Sequence, residues 1–329
     1  MKNKHVAIVG ATGAVGREFV GCIESRGLPL ASLKLLASAK SAGKKQTFRG
    51  QELTVEELTE DAFKGVDIAL FSAGSGISKQ YWPIAVKAGA VVVDNSSAFR
   101  TDPAIPLVVP EINARRIKDH KGIIANPNCS AITTLVPLWP VHQVNPVKRL
   151  IVSTYQAASG GGAQHMRELL TQFGLLNEAV RPLLDDPASA ILEIDRGVLL
   201  KQQDGSLPQD NFGVPLGGSL IPWIDKDLGN GMSKEEWKAE AETNKILGRG
   251  PAFGSEPTPI DGLCVRIGAM RCHSQALTIK LQRDVPLDEI SDILRQGSKW
   301  AKVIPNSREA TMRELTPVAV TGTLDIPVG

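Results

Sequence analysis

Cysteine is scarce: only Cys22, Cys129, Cys264 and Cys272 occur in 329 residues, and no two share a metal-ligand or disulfide spacing. That excludes a disulfide framework and a zinc ribbon, and it fits a reducing cytoplasm. Long hydrophobic runs are missing as well. Near the N-terminus the apolar run Val6–Val9 stops at Gly10, too short for a signal-peptide core, and no segment reaches the ~18 apolar residues of a membrane span. A soluble, unexported, cytoplasmic protein is expected. Charge of one sign is not in excess either: a formal net charge of +2 gives no reason to expect a nucleic-acid or membrane surface, although local Arg and Lys can still meet a small anion. There are no internal repeats or low-complexity tracts. What these absences leave is an enzyme or binding protein whose partner is a small molecule.

The composition that remains, 42% hydrophobic and 22% charged with 31 glycines, is that of an α/β chain whose tight strand-to-helix turns use glycine. At 329 residues two domains are expected, since single cores stop growing near ~250 to 300 residues. The chain opens with a buried-strand run, His5–Val9, that enters Gly10-Ala11-Thr12-Gly13-Ala14-Val15-Gly16 and then a helical pattern. Strand, glycine turn and helix form the setting of a dinucleotide fingerprint, in which backbone approaches a pyrophosphate at the helix N-terminus. The spacing is a variant of the usual one, and a plain tight turn is the competing reading. The next strand, Leu33–Ala37, ends in Ser38-Ala39-Lys40-Ser41, followed by Lys44 and Lys45. An NAD-specific protein places an acid there for the ribose hydroxyls; hydroxyls and lysines suit a 2′-phosphate, so NADP is preferred, against the alternative of a solvated basic loop.

A third strand, Asp67–Phe71, opens into Ser72-Ala73-Gly74, which is expected to flank the cofactor. A fourth, Gly89–Asp94, leads to Arg100, either an anion grip or a surface ion pair. Then Asn126-Pro127-Asn128-Cys129-Ser130 stands between an apolar run and a helix-like run. That places Cys129 at a helix N-terminus, where orphan amides and the helix dipole favour an anion, and makes it the best nucleophile candidate over the bland alternative of a buried apolar residue. The domain boundary is expected near residue 130.

Beyond it, Arg149–Tyr155 reads as a strand and a helix is expected from about His165. Residues 172–232 read as irregular apart from a helical piece over Ala188–Leu200. Ser233 and Glu236 have capping-box spacing at the head of a helix reaching Leu247, with Glu235 and Lys238 three apart on one face; an ordinary surface helix is the plain alternative. Residues 264–274 read as strand-like, carrying Arg266, Arg271 and His273, with Arg266 and Gly268 on one face and Arg271 and His273 together on a face after any local bend, and such charges on a half-buried surface need partners. A strand over Ala276–Leu281 and a helix over Leu287–Gln296 follow. No metal-ligand set is expected.

Six motifs in order resemble the aspartate-semialdehyde dehydrogenase family: Gly10–Gly16, Asp94–Arg100, Asn126–Ser130, Ser153–Gly160, Glu235–Lys238, and Arg266 with His273. The resemblance covers essentially the whole chain. It implies an α/β fold with a Rossmann-type dinucleotide-binding domain (1–130) and a mixed α+β catalytic and dimerisation domain (131–329), as in glyceraldehyde-3-phosphate dehydrogenase. It further implies a cytoplasmic homodimer, and an NADP-dependent oxidoreductase linking 4-phospho-L-aspartate to L-aspartate 4-semialdehyde through a thioester, in lysine (diaminopimelate), threonine and methionine biosynthesis.

By the same likeness Cys129 is the acyl-accepting nucleophile, His273 the acid/base, and Gln156 the residue orienting the carbonyl. Arg266 takes the substrate carboxylate, Glu235 its ammonium group, and Arg100, Lys238 and Asn128 the phosphate, while Ser159 and Gly160 join the cofactor contacts. The first 158 or so residues resemble the branch of Gram-positive bacteria and plants and the rest the enteric branch, so the chain reads as a composite of the two. The family's terminal helix, which returns to the nucleotide domain, lies beyond the resemblance, and reduced stability or activity is the expectation. The rival readings are an N-acetyl-glutamyl-phosphate reductase, against which Glu235 argues, and an NADP-binding protein without catalysis.

Overall fold

Val6, Ala7, Ile8 and Val9 are buried in succession, the signature of a strand with both faces covered. They form β1 (His5–Val9) at the middle of a seven-stranded sheet in the computed structural model, which describes residues 4–329. In chain order the first part then contributes α1 (Ala14–Ser25), β2 (Ser32–Ala37), β3 (Lys45–Phe48), β4 (Gln51–Glu57), β5 (Ile68–Phe71), α2 (Ser75–Lys87), β6 (Val91–Asp94), α3 (Pro110–Asn113), β7 (Ile123–Ala125) and α4 (Cys129–Val144). The sheet order is β3-β4-β2-β1-β5-β6-β7, parallel throughout except for the antiparallel β3–β4 pair. The chain leaves β1 for β2 on one side and later returns to β5 on the other. This is a topological switch point, and ligands of such sheets bind at the carboxyl ends of the strands beside it. Helix α1 buries Gly16, Val20 and Ile23 at helical spacing against a core that includes Ile8, Leu35 and Val55. Beyond β7 the segment around Leu107 runs alongside, with the Ala125 N–H donating to Pro106 O and the Val108 N–H to Ala125 O.

The second part contains β8 (Val147–Gln156), α5 (Ala163–Asp185), α6 (Ile191–Gln203), β9 (Leu220–Ile221), α7 (Lys234–Leu247), β10 (Ile260–Ile267), β11 (Ser274–Leu281), α8 (Leu287–Gly297), β12 (Ala301–Val303), α9 (Arg308–Glu314), α10 (Pro317–Val320) and β13 (Ile326–Val328). Its main sheet has the order β11-β8-β10-β9, with β10 parallel and β11 antiparallel to β8, and β12–β13 form a separate parallel pair. Strand β8 alternates, burying Leu150, Val152, Thr154 and Gln156. Among the described residues no helix is long and apolar enough to cross a membrane.

Contacts divide the chain into two units, Met1–Trp139 with Lys238–Thr258, and Pro140–Trp237 with Pro259–Gly329. The division expected at residue 130 differs from this in two ways. Helix α4 is cut inside its length, and Lys238–Thr258 returns to the first unit because Asn113 Nδ2 donates to Ile246 O and Lys245 donates to the carbonyls of Arg100 and Ile105.

Two local expectations are corrected. Residues 172–185 are helical: Gly174 and Pro182 look like breakers, yet Leu169, Gln172, Leu176 and Val180 recur at helical spacing and are buried. The expected strand over 264–274 holds only as far as Ile267, where β10 ends; residues 268–273 form the turn to β11, in which Cys272 takes a positive φ of 66°. The antiparallel β3–β4 hairpin was not among the expected elements.

Candidate active site

In the first unit, the turn after β1 is built without side chains for a steric reason. Gly10 has φ +89°, and a Cβ on it would lie 2.5 Å from the Ser72 carbonyl oxygen; a Cβ on Gly16 would lie 2.2 Å from Gly10 O. The ends of β1 and β5 and the head of α1 therefore meet backbone to backbone. Gly13 is the N-cap of α1 and no side chain caps the helix, so its first-turn amides are oriented toward an anion. Thr12 Oγ1 donates to Ser41 Oγ at 3.5 Å, which joins this turn to the loop after β2. Ala14, Val15, Ser38 and Lys40 are exposed beside them, and Gly74 is the N-cap of α2 with φ +86°. The first acid after β2 is Glu52, and Lys45 holds it at 2.8 Å within the hairpin, so Lys45 is engaged there while Lys40 stays on the loop. The residues suit a dinucleotide: a floor without side chains, a bare helix N-terminus, and hydroxyls with a lysine near the second strand.

The nucleophile candidate is set where β7 becomes α4. The Asn126 N–H donates to Asp94 O at 2.8 Å, and Asn126 Nδ2 to Asn95 Oδ1 at 2.7 Å, tying the ends of β6 and β7. Asp94 itself is wholly buried and accepts the hydroxyls of Ser78 (2.5 Å) and Ser96 (2.6 Å). Asn128 caps the helix, its Oδ1 accepting the Ser130 N–H at 2.8 Å. Cys129 is the first residue of α4 and is exposed, with its thiol 3.9 Å from Asn128 Oδ1. Cys264 shows the contrast: burial pushes its thiol up to about 11, which keeps it protonated and inert.

Arg100 is buried rather than a surface ion pair. Its Nε donates to Asn126 O (2.9 Å) and its Nη2 to Asn95 O (2.8 Å), and its Nη1 lies 3.5 Å from Glu242 Oε1. The other oxygen of Glu242 accepts the Asn128 N–H at 2.6 Å. Lys238, one turn earlier on α7, is also buried.

The second unit gathers the remaining candidates. Gln156 ends β8 in register with Arg266 on β10. Its Nε2 donates to Glu235 Oε1 and Thr154 Oγ1, both at 3.2 Å. Arg266 is buried, its Nη1 donating to Ala157 O at 2.7 Å, while the Ala157 N–H donates to His273 Nδ1 at 3.0 Å. Burial, then the Arg266 charge, push the His273 imidazole down to about 4, with Glu235 opposing. A Cβ on Gly160 would lie 2.8 Å from Arg266 Nη1 and 3.1 Å from His273 Nε2, and the Ser159 N–H donates to Met270 O at 3.0 Å. Arg271 lies in the turn after β10 and is exposed.

Helix α7 is not an ordinary surface helix. Its capping box forms, with the Ser233 N–H donating to Glu236 Oε2 (2.8 Å) and the Glu236 N–H to Ser233 Oγ (3.3 Å), and Glu235, Lys238 and Glu242 are buried. Glu242, Lys245, Thr154 and Asp94 were assigned no role from the sequence, although Asp94 and Thr154 lie inside the motifs Asp94–Arg100 and Ser153–Gly160. For two of them a signal existed: Glu235, Lys238, Glu242 and Lys245 repeat along one helical stripe.

Residues 5–120 match the family model of the semialdehyde dehydrogenase NAD binding domain, and residues 115–329 that of the semialdehyde dehydrogenase dimerisation domain. Among solved structures, aspartate semialdehyde dehydrogenase II from Vibrio cholerae complexed with ASA is 34% identical with a TM-score of 0.79, the match covering 94% of this chain and 84% of that one. The aspartate semialdehyde dehydrogenase of Francisella tularensis is 31% identical with a TM-score of 0.85, over 98% of this chain and 88% of that one. The enzyme from Candida albicans, solved with NADP, is 21% identical with a TM-score of 0.59 over 94% and 85% of the two chains, a likeness of fold.

Proposed function

This chain belongs to the semialdehyde dehydrogenase family, and on that premise we propose that it interconverts L-aspartate 4-semialdehyde and 4-phospho-L-aspartate with NADP and phosphate, as a cytoplasmic homodimer. The observation that carries the substrate assignment is the pair of opposite charges buried about Gln156: Glu235, held by the Gln156 amide, and Arg266, in register with it. A free α-amino acid offers one ammonium and one carboxylate to such a pair. An acetylated amine has no positive charge to offer Glu235.

Cys129 is the nucleophile. In the oxidative direction its thiolate adds to the aldehyde carbon, and the carbonyl oxygen becomes an oxyanion. A bound nicotinamide would supply the hydride acceptor, leaving the acyl group on the Cys129 sulfur as a thioester. Phosphate oxygen then attacks the acyl carbon and expels the Cys129 thiolate, giving the acyl phosphate. Each step is easier than direct conversion.

His273 acts through Nε2 on the reacting oxygen. Because Nδ1 accepts from the Ala157 backbone, the neutral ring carries its proton on Nε2, and that proton is offered to the oxyanion. Gln156 fixes the carboxylate that receives the ammonium, and so orients the carbonyl. Arg100, Lys238 and Asn128 receive the phosphate. The turn Gly10–Gly16 with Ser38, Lys40, Ser41, Ser72 and Gly74 holds the dinucleotide, and the hydroxyls and Lys40 favour the 2′-phosphate of NADP over the NAD ribose; Ser159 and Gly160 complete these contacts.

The test is phosphate-dependent reduction of NADP⁺ by L-aspartate 4-semialdehyde, on the wild type and on Cys129→Ala. Turnover lost in the variant supports the reading. Equal turnover in the two proteins, or preference for N-acetylglutamate 5-semialdehyde, would defeat it.

A further inference from the structure

Glu242 is 1% exposed on its side chain and has two oxygens doing different things. One faces the Arg100 guanidinium at 3.5 Å, and the other takes the Asn128 N–H at 2.6 Å, one residue before Cys129. We propose that Glu242 is a positioning residue, which fixes the Arg100 fork and the Asn128–Cys129 peptide in one geometry for the phosphate step. The inference rests on the reading of Arg100 as a phosphate ligand given above.

A carboxylate buried this far persists only when its charge is compensated and its lone pairs are used. Arg100 supplies the cation and the Asn128 amide a short charge-assisted bond. The effect on Arg100 is geometric. Its Nε and Nη2 are aimed by the carbonyls of Asn126 and Asn95, at the ends of β7 and β6, and Glu242 sets the third nitrogen. One turn further along α7, Lys245 donates to the carbonyls of Arg100 (2.9 Å), Asp102 (2.5 Å) and Ile105 (2.8 Å), holding the same loop by its backbone. The carboxylate is needed because of its symmetry: both oxygens accept. Glutamine keeps the shape but has one acceptor and one donor, so it can satisfy the Asn128 amide or the guanidinium, never both.

The experiment compares wild type, Glu242→Gln and Glu242→Asp for the KM of phosphate, the KM of the semialdehyde, kcat and the thermal midpoint. The proposal expects Glu242→Gln to raise the phosphate KM by about tenfold or more with the semialdehyde KM held, and Glu242→Asp to restore most of it. An unchanged phosphate KM overturns the proposal. So does a rise that comes with an equal change in semialdehyde KM and a lowered midpoint, the mark of a purely structural role. If the wild type shows no phosphate-dependent turnover, the functional reading has failed and Cys129 alkylation by iodoacetamide at neutral pH decides the point instead. If Glu242 fixes the Asn128–Cys129 peptide, that rate differs between wild type and Glu242→Gln by about threefold or more; equal rates overturn the positioning role.

Discussion

The Ala157 backbone N–H donates to His273 Nδ1 across 3.0 Å, while the Ala157 carbonyl accepts from Arg266. One peptide unit thus fixes the orientation of the imidazole and of the guanidinium that depresses its basicity. With the imidazole pushed down to about 4, His273 is neutral throughout the physiological range. The rate profile should therefore show no limb from this residue near ~6.5, the ordinary histidine value. Replacement by glutamine should lower kcat by roughly 10²- to 10⁴-fold. A wild-type limb near neutrality that disappears in His273→Gln would contradict the assignment.

The same depression has a consequence for stability. Between about 4 and the ordinary value of 6.5, the unfolded chain binds a proton at this position and the native chain does not, so stability falls as the pH is lowered through that window. His273→Gln should flatten this part of the acid limb in urea titrations. A limb of unchanged steepness would mean that the native imidazole titrates normally.

Gly160 has no room for a methyl group, because the two atoms it would meet are held by Ala157. Gly160→Ala is expected to cost about 1 to 3 kcal/mol by overpacking, and to lower kcat more than it lowers the melting point would suggest. Comparing the variant's turnover with its thermal midpoint separates displacement of the imidazole from general loosening.

Lys245 titrates in the opposite region. Burial pushes its ammonium down to about 8 from the ordinary 10.5, with Arg116 adding to the effect and Asp102 and Glu242 opposing it. Within that window the unfolded chain keeps the proton and the native chain has lost it, so the native state gains stability as pH rises. The difference in unfolding free energy between wild type and Lys245→Met should grow from pH ~8 to pH ~10, measured by urea midpoints at each pH. A difference that shrinks would show that the carbonyl clamp depends on the charged amine.

Arg100→Lys should raise the phosphate KM by about tenfold or more. A lysine offers a point charge, whereas Arg100 uses three nitrogens in fixed directions, toward Asn126, Asn95 and Glu242. Equal phosphate dependence in the two proteins would remove Arg100 from the phosphate site.

Much of the parallel sheet was legible because its strands are continuous apolar runs with glycine at their ends. His5–Val9 followed by Gly10 and Ile68–Phe71 followed by Gly74 are local signals. The head of α4 could be read for the same reason, since Asn-Pro-Asn is a stop and a cap in one. The capping box of α7 was visible too. Less visible were features that depend on distant partners. Glu242 and Lys245 look like solvated helix charges until a loop some 140 residues earlier in the chain supplies Arg100 and its carbonyls. Helix α5 was obscured because Gly174 and Pro182 are weak formers locally, while the burial that overrides them is tertiary. The turn between β10 and β11 was hidden by β-rich composition on both sides of Cys272, and periodicity alone could not announce its positive φ.

The flanks of the seven-stranded sheet carry a last implication. On one side the terminal strand is the four-residue β3, antiparallel and bearing the Lys45–Glu52 pair; on the other, the Leu107 segment already occupies the hydrogen-bonding groups of Ala125. Neither margin is a long, bare template for a foreign strand. The nucleotide-binding unit is thereby protected from aggregating by sheet extension, and self-association through continuation of this sheet is disfavoured.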